Sequence, residues 1–463
     1  MKHRHRHSIG RTAMLSTLLA AVALGSTGAF ANAVTVPDNI RVALFADLGS
    51  RYKSTTPAAT LVSESGMQLM MGGTAVAKIA GGQTIRFAVD GYKAKVLETA
   101  DLTTAISVLK KIQSSSNAVY VTMLMKNGKA VYQVTEGNYA SASAASSALA
   151  KWNTAAYTLG AQTLTPASVL GPMAVESGPY DSEAAASEAV TKLGNAGLDA
   201  FLAYKVAGGK AAYYVRIGQA SDATALSAIQ LKAAAEGVTS KIPDAASAYV
   251  VLRNDMTVNG AQNKPVNLYS VGTAAGTAIT ANPSGDAGIQ VVERSKQTYR
   301  GNIEISVLNN NLAVVNEVDL EQYLYSVVGS EIYSSWPAEA QKAQAVAART
   351  YSLSLGVGFQ IANVVDTTLS QVYSGIKGES AQSIAAVKAT EGEILTYGGK
   401  AISAVFSSNA GGITADNATE IWGNVTNYLA SAVVSPDSGP QEGKLNWHRV
   451  LLENGTTGYI RSD

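Results

Sequence analysis

The sequence predicts an α+β protein, and three observations lead to that fold class. Hydrophobic residues make up 47% of the 463 positions and charged residues 15%, which is typical of an ordered globular chain. Segments with the alternating pattern of strands are separated by Ala-rich segments with helical periodicity. Two of these mixed segments resemble each other 81 residues apart, which indicates two small α+β modules in tandem. The length itself favours about three domains.

The N-terminal segment has the features of a secretory signal peptide. A basic start precedes the apolar run Ala13–Leu24, and Ala29 and Ala31 supply the small residues of a cleavage site. We therefore expect residues 1–31 to be removed and the protein to be secreted or held at the cell wall. No later apolar stretch approaches the ~18–20 residues of a transmembrane helix, so no transmembrane segment is predicted after signal removal.

Composition excludes most hydrolase chemistries that run outside the cell. The chain has no Cys, and His448 is the only histidine beyond the signal peptide. A thiol protease would have no nucleophile, a zinc site with several His would have no ligands, and a Ser-His-Asp triad would need His448. We therefore expect any catalysis to use carboxylates, Lys, Tyr or hydroxyl groups, and no cofactor or metal is predicted.

Residues 32–100 begin with the alternating segment Ile40–Phe45, which predicts a strand. The two repeats follow at residues 101–160 and 175–240. In each repeat, a helix and a strand precede a turn with Gly-Lys, and a second strand, a glycine and a Ser/Ala-rich helix come after it. The sequence therefore predicts the same order of elements twice.

Residues 245–436 return to strands and then to helices. The segments Tyr299–Val307 and Leu312–Val318 are predicted to be paired strands, and Pro337–Leu355 is the strongest predicted helix, since Pro suits a first turn and Gly follows its end. The last residues, 437–463, predict a hairpin around an Asn-Gly turn. The hairpin resembles the end of an SH3-like module. Either the module is truncated and the chain is a fragment of a longer protein, or the hairpin adds to the preceding domain.

A single acid, Glu331, lies between the two predicted helices and beside apolar residues such as Val328 and Ile332. Partial burial there would favour the protonated form of its carboxyl group. A protonated carboxylic acid is what cleavage of a glycosidic bond requires. The alternative is a solvated acid in a turn, and residue spacing alone leaves both interpretations open.

Five motifs in this part of the chain resemble the SpoIID/LytB (stage II sporulation protein D) family. They are Glu317–Leu324, Val327–Ile332, Trp336–Tyr351, Asp366–Tyr373 and Ser407–Thr414, the last followed by Trp422. The segment Ile40–Leu44 is similar to the family's opening strand. The resemblance implies one discontinuous mixed domain, made of residues 32–100 and 245–436, into which the two repeats are inserted.

The repeats resemble SPOR modules, which bind peptidoglycan. The similarity lies in the hairpins at Tyr132–Gly137 and Tyr213–Gly218. A hairpin on a small antiparallel sheet leaves one face free, and a face with Tyr and Lys is suited to sugars. The alternative is an ordinary α+β repeat that binds no ligand.

Active members of the SpoIID/LytB family are lytic transglycosylases that act on glycan strands without stem peptides, and Glu331 matches their catalytic acid. The resemblance implies that Glu331 protonates the oxygen leaving C1 of N-acetylmuramic acid (MurNAc) while the C6 hydroxyl of the same sugar closes on C1. The product is a 1,6-anhydro end. This chemistry requires neither water nor the second carboxylate of ordinary glycosidases.

Further motif residues are predicted to bind the substrate. Lys342 and Arg349 fall on one face of the predicted helix Pro337–Leu355 and would hydrogen-bond sugar hydroxyls or N-acetyl oxygens. The alternative is that this face is simply a charged surface in contact with solvent. Trp336 and Trp422 are interpreted as core residues, with sugar stacking as the alternative. The predicted substrate-binding residues are Lys342, Gln344, Arg349, Tyr351, Asp366, Gln371, Tyr373, Ser407, Gly411 and Thr414.

The chain departs from the family pattern at several positions. Leu369 and Ser370 replace a His-Cys pair that many relatives carry, Ala410 replaces a Cys, and Ser407 or Ser408 replaces a His. Any contribution of metal or thiol at these positions is absent. The alternative function is therefore a LytB-like, non-catalytic glycan-binding enhancer of a cell-wall amidase. The predicted partners are peptidoglycan glycan strands and, under that alternative, an amidase; no nucleic acid is predicted.

Overall fold

A computed structural model describes residues 34–258, 264–407, 414–417, 423, 425–432 and 446–462. The predicted signal peptide, Gly411 and Trp422 lie outside these residues. The described chain is a mixed α and β structure, as the sequence predicts. No helix in the described part combines the length and apolar character needed to cross a membrane.

The elements follow the predicted order along the chain. The N-terminal part is made of strands: β1 (Asn39–Asp47), β2 (Lys53–Ser54), β3 (Ala58–Val62), β4 (Met67–Met71), β5 (Thr74–Ile79), β6 (Thr84–Val89) and β7 (Tyr92–Thr99). The central part holds the repeats: α1 (Leu102–Gln113), β8 (Val119–Lys126), β9 (Lys129–Tyr139), α2 (Ala142–Trp152), α3 (Ala155–Thr158), β10 (Ser168–Leu170), β11 (Met173–Tyr180), α4 (Glu183–Asn195), β12 (Ala200–Ala207), β13 (Lys210–Ala220) and α5 (Ala223–Ala235).

The remaining elements form the part that contains Glu331. They are β14 (Val250–Asp255), β15 (Val266–Val271), β16 (Ala278–Pro283), β17 (Ile289–Val291), β18 (Gln297–Tyr299), β19 (Asn302–Leu308), β20 (Asn311–Asp319), α6 (Leu320–Glu331), α7 (Ala338–Ser354), β21 (Val364–Val365), a 3₁₀ helix (Gly375–Gly378), α8 (Ala381–Ala389), β22 (Thr396–Tyr397), β23 (Lys400–Ala401), β24 (Trp447–Leu451) and β25 (Thr457–Arg461). β24 and β25 pair with each other as the predicted C-terminal hairpin.

The opening strand lies in the same sheet as the strands that lead to Glu331. The order in this sheet is β2-β1-β20-β19-β16-β4-β5. β1 pairs antiparallel with β20, with Ile40 opposite Val318, and β1 also pairs in parallel with β21. Residues near position 40 and residues beyond position 300 are therefore parts of one sheet, and α6 leaves directly from the end of β20.

The two repeats belong to a second, larger sheet, and their limits differ from the predicted ones. Each repeat contains a strand before its first helix: β7 pairs with β9, and β11 pairs with β13. The predicted start at residue 101 therefore separated the first repeat from its own first strand. β14 pairs with both β8 and β12, so one strand joins the sheets of the two repeats. These pairings join strands far apart in sequence, which local patterns do not encode.

A polar network joins the two repeats where their sheets meet. Lys126 of the first repeat lies 2.6 Å from an Asp199 carboxylate oxygen and 3.1 Å from one of Glu98. Gln133 and Gln219 each donate to Asp199, at 3.0 and 2.8 Å. Burial opposes ionisation of Asp199, but Lys126 and the two amide donors more than offset it, so the pKa of Asp199 lies below its ordinary value.

Asp199→Asn should lower the free energy of unfolding at pH 7 by about 1–3 kcal/mol, because Lys126 loses one charged partner. The folded-state pKa of Asp199 is lowered, so its stabilisation is complete above the unfolded pKa of about 3.9 and is lost as pH falls through the folded value. Urea unfolding should therefore give a difference between variant and wild type that shrinks below pH ~4. Glu188→Gln, on the exposed side of α4, is the control, and equal effects of the two changes would contradict the assignment.

Candidate functional site

Glu331 is the last residue of α6 and is half-buried. Asp319 begins this helix, and its carboxylate accepts a hydrogen bond from the Gln322 amide at 2.9 Å, which satisfies a free N–H of the first turn. At the other end, the backbone N–H of Val372 donates to Oε1 of Glu331 at 2.9 Å. The carboxylate is therefore fixed by a backbone group from a segment 41 residues away.

Gln371 holds the segment that donates to Glu331. Its side chain is buried, and its Oε1 accepts hydrogen bonds from Tyr323 at 2.9 Å and Ser352 at 2.8 Å. Its Nε2 donates to the carbonyl of Ala348 at 3.3 Å. Gln371 thus ties the segment before Val372 to α6 and to α7. It positions Glu331 and does not face a cavity.

Glu331 lines two adjoining cavities. The larger has a volume of about 820 Å³ and the smaller about 240 Å³. Phe406 also lines both, so the two cavities meet at these residues. The other side chains of the larger cavity include Gln297, Ile332, Tyr333, Trp336, Gln344, Lys377, Glu379 and Ser407. Those of the smaller cavity are Tyr351, Thr368, Ser370 and Val405.

Three of the predicted substrate-binding residues lie beside Glu331 in these cavities: Gln344, Tyr351 and Ser407. Gln344 is notable because its buried Nε2 has no hydrogen-bond partner among the described residues. Buried donors normally find a partner, so this unpaired amide is unusual among the groups that line the cavity. Ser407 is exposed at the rim of the larger cavity.

Arg349 and Asp366 have structural roles, which corrects their predicted role in substrate binding. Arg349 is 0% exposed, and its guanidinium binds Glu321 through Nε at 2.8 Å and through Nη2 at 2.5 Å. Asp366 is buried and accepts two hydrogen bonds from Arg294, at 2.6 and 2.5 Å. Burial raises the pKa of Asp366, and Arg294 opposes that effect. Neither charge is available to a sugar.

Tyr373, Lys342 and Thr414 also lie away from the cavity lining. Tyr373 is buried and donates to Asn316 at 2.8 Å; burial raises the pKa of its hydroxyl well above the ordinary value. Lys342 pairs on the surface with Glu339 at 2.7 Å. Thr414 exchanges hydrogen bonds with Ala432. Gly411, predicted with them, lies outside the described residues.

Aromatic residues around Glu331 are more exposed than the sequence predicts. Trp336, interpreted as core, is 40% exposed and lines the larger cavity, and Tyr333 beside it is 76% exposed. Phe406 and Lys377 also line this cavity, and neither is among the predicted site residues. Phe406 directly precedes the Ser407–Thr414 motif, and this position is a sequence signal for it. Lys377 had no local signal, because it is an ordinary exposed Lys in a Gly-rich segment.

Leu369 and Ser370 occupy the positions at which many relatives carry a His-Cys pair. Leu369 is exposed, and Ser370 accepts a hydrogen bond from the Val365 amide at 3.1 Å. Within the described residues, no group of three or more acidic or His side chains is arranged to hold a metal ion. The lining of the larger cavity itself supplies Glu331, Gln344, Lys377 and the aromatic side chains of Tyr333, Trp336 and Phe406.

Comparison with known proteins identifies similarity in this same region. Residues 308–397 match the family model of the stage II sporulation protein, SpoIID. The amidase enhancer of Bacillus subtilis is 40% identical over 121 residues, which are 26% of this chain and 16% of that protein. Stage II sporulation protein D of Bacillus amyloliquefaciens is 36% identical over 151 residues, 29% of this chain and 43% of that protein.

Stage II sporulation protein D of Bacillus subtilis is 33% identical over 177 residues, 35% of this chain and 49% of that protein. The chain thus spans less than half the length of each of these relatives. The matched segment contains Glu331, Gln344 and the Gln371 segment, whereas Ser407 and Thr414 lie beyond it. The predicted SpoIID/LytB resemblance is confirmed for this region.

Arg349→Met should lower the free energy of unfolding by about 3–5 kcal/mol, because Glu321 would keep a partly buried charge without its partner. Lys342→Met, a matched change on the same helix, should cost less than about 1 kcal/mol because its ion pair is exposed. Chemical denaturation of both variants measures this difference. If Arg349→Met retained wild-type stability and weakened only glycan binding, the structural assignment of Arg349 would be wrong.

Proposed function

We propose that this chain, a member of the SpoIID/LytB family through residues 308–397, is a peptidoglycan-remodelling lytic transglycosylase. Its substrate is the MurNAc–GlcNAc bond of glycan strands without stem peptides, GlcNAc being N-acetylglucosamine, and Glu331 is the general acid. The observation that carries the proposal is the placement of Glu331, a half-buried carboxyl group where two cavities meet, with one oxygen held by a backbone amide.

The hydrogen bond from Val372 distinguishes the two oxygens of Glu331. Oε1 accepts the N–H at 2.9 Å, which leaves Oε2 as the oxygen to hold the acid proton in the proposed reaction. A general acid must lie within hydrogen-bond reach of the atom that it protonates. A glycan that passes from one cavity to the other would bring a glycosidic oxygen to the point where they meet, beside Oε2.

The reaction uses this one carboxyl group in two steps. Glu331 gives its proton to the oxygen of the leaving GlcNAc as the bond from C1 of MurNAc breaks. The C6 hydroxyl of the same MurNAc then bonds to C1, and the carboxylate takes up the hydroxyl proton. The products are a 1,6-anhydro-MurNAc end and a free GlcNAc hydroxyl, and Glu331 returns to its starting form.

Aromatic and amide groups around Glu331 support a sugar as the ligand. Sugar rings have apolar faces that stack on exposed aromatic side chains, and Trp336, Tyr333 and Phe406 provide such surfaces along the larger cavity. The unpartnered Nε2 of Gln344 suits the carbonyl of an N-acetyl group. We also propose that the two repeats, with their SPOR-like hairpins, bind the same glycan.

A second candidate is a non-catalytic glycan-binding enhancer of a cell-wall amidase. The relative named amidase enhancer is 40% identical to this chain over the aligned residues, and Leu369 and Ser370 stand where many family members carry His-Cys. Under this alternative, the two cavities would hold glycan without cleaving it, and Glu331 would serve only as a hydrogen-bonding group.

Glu331→Gln should abolish release of 1,6-anhydro-MurNAc fragments from glycan strands stripped of stem peptides, while glycan binding persists. The amide keeps the shape of the carboxyl group but cannot supply the proton, so the rate should fall by ~10²–10⁴-fold or more. Chromatography with mass detection of the anhydro product measures this rate, and Glu391→Gln, an exposed change after α8, is the matched control.

The same experiment separates the two candidate functions. Wild-type protein that yields no anhydro product but stimulates a purified amidase, with the stimulation kept in Glu331→Gln, would establish the enhancer function and remove Glu331 as a catalytic residue.

A further inference from the structure

One cationic side chain, Lys377, is present among the described residues that line the larger cavity. The acidic side chains of that lining are Glu331 and Glu379. Glu379 binds Arg300 through two hydrogen bonds, at 2.7 and 2.8 Å, so its charge is already balanced. Lys377 forms no ion pair within the described part of the chain. Lys377 is therefore the one cation of the described cavity lining that no ion pair engages.

The backbone around Lys377 is fixed close to Glu331. Lys377 belongs to the 3₁₀ helix, and the next residue, Gly378, packs against the last turn of α6. A Cβ atom at Gly378 would lie 2.6 Å from Oγ of Ser330, the residue before Glu331. On the other side, the Ser374 amide donates to Oγ of Ser326 at 3.1 Å. Lys377 is thus an exposed side chain on a backbone that is held on both sides.

The geometry points to Lys377 as the specificity-determining residue that binds the lactyl carboxylate of MurNAc. This inference rests on the proposed function, because it names the substrate group that the cavity recognises. The lactyl group is attached at C3 of the same ring whose C1 is the reacting carbon. When the stem peptide is present, the lactyl carbonyl is a neutral amide. When an amidase has removed the peptide, the same carbon is a carboxylate, which a nearby ammonium group attracts.

Lys377 would therefore distinguish a stripped strand from an intact one by charge. The attraction is electrostatic and partly exposed to solvent, so it should weaken as salt is added. Trp336 and Tyr333 line the same cavity of about 820 Å³. Their rings offer a surface on which the sugar ring can stack while its carboxylate contacts Lys377. A stem peptide on the same ring would replace the carboxylate with an uncharged and bulkier group at that position.

The test uses the full chain with Glu331→Gln, so that binding is measured without cleavage. The probes are two GlcNAc-MurNAc tetrasaccharides, one with free lactyl carboxylates and one with the same groups converted to primary amides. Calorimetry should give roughly tenfold tighter binding of the acid form. Adding Lys377→Gln should remove that preference, Lys377→Glu should reverse it, and 0.5 M salt should reduce it. Lys388→Gln on α8, an exposed cation that does not line the cavity, should leave it unchanged.

The outcomes separate this inference from the function on which it rests. A preference for the acid form that survives Lys377→Gln overturns the assignment of Lys377. Equal binding of the two probes by the Glu331→Gln protein overturns it as well, while the transglycosylase proposal stands if wild type releases anhydro ends. If neither probe binds and wild type releases no anhydro ends, the proposed function fails and the inference fails with it.

Discussion

The candidate site depends on how closely the last turn of α6 approaches the segment that follows Gln371. Two glycines allow this contact: a Cβ atom at Gly329 would lie 2.1 Å from the carbonyl oxygen of Gly378, closer than any side chain permits. Because the backbones meet, the Val372 amide reaches Glu331 and the Ser374 amide reaches Ser326. A larger residue at either glycine would separate these segments and release the carboxylate from its donor.

The polar residues of the family motifs divide into those that are paired with one another behind the cavities and those that line the cavities. Arg349 binds Glu321, Asp366 binds Arg294, and Gln371 binds α6 through Tyr323 and α7 through Ser352. Buried charged and amide groups are costly unless each has a partner, so such a cluster specifies one arrangement of helices and loops. The groups that line the cavities are Glu331, Gln344, Lys377 and several aromatic and hydroxyl side chains.

The repeats show the same division between local and long-range determinants. Their helices and hairpins follow the predicted order of elements, because helical and alternating patterns are local. Their first strands, β7 and β11, and the shared strand β14 depend on pairing with distant strands. The polar network around Asp199 also needs residues from both repeats, so its existence could not be deduced from either repeat taken singly.

By itself, the sequence determined the α+β class, the two consecutive helices around Glu331 and the resemblance to the SpoIID family, since periodicity, Gly and Pro positions and motif order are properties of short segments. Only the tertiary structure decided which motif residues line the cavities beside Glu331. The Arg349 side chain is buried because its Nε lies 2.8 Å from a carboxylate oxygen of Glu321, which is 28 residues away in sequence. Asp366 is buried because it pairs with Arg294, which is 72 residues away. Trp336 and Lys377 line the larger cavity. This cavity lies beside the contact between α6 and the segment after Gln371, and that contact joins segments distant in sequence. Contacts between distant segments decide burial, and no local pattern records them.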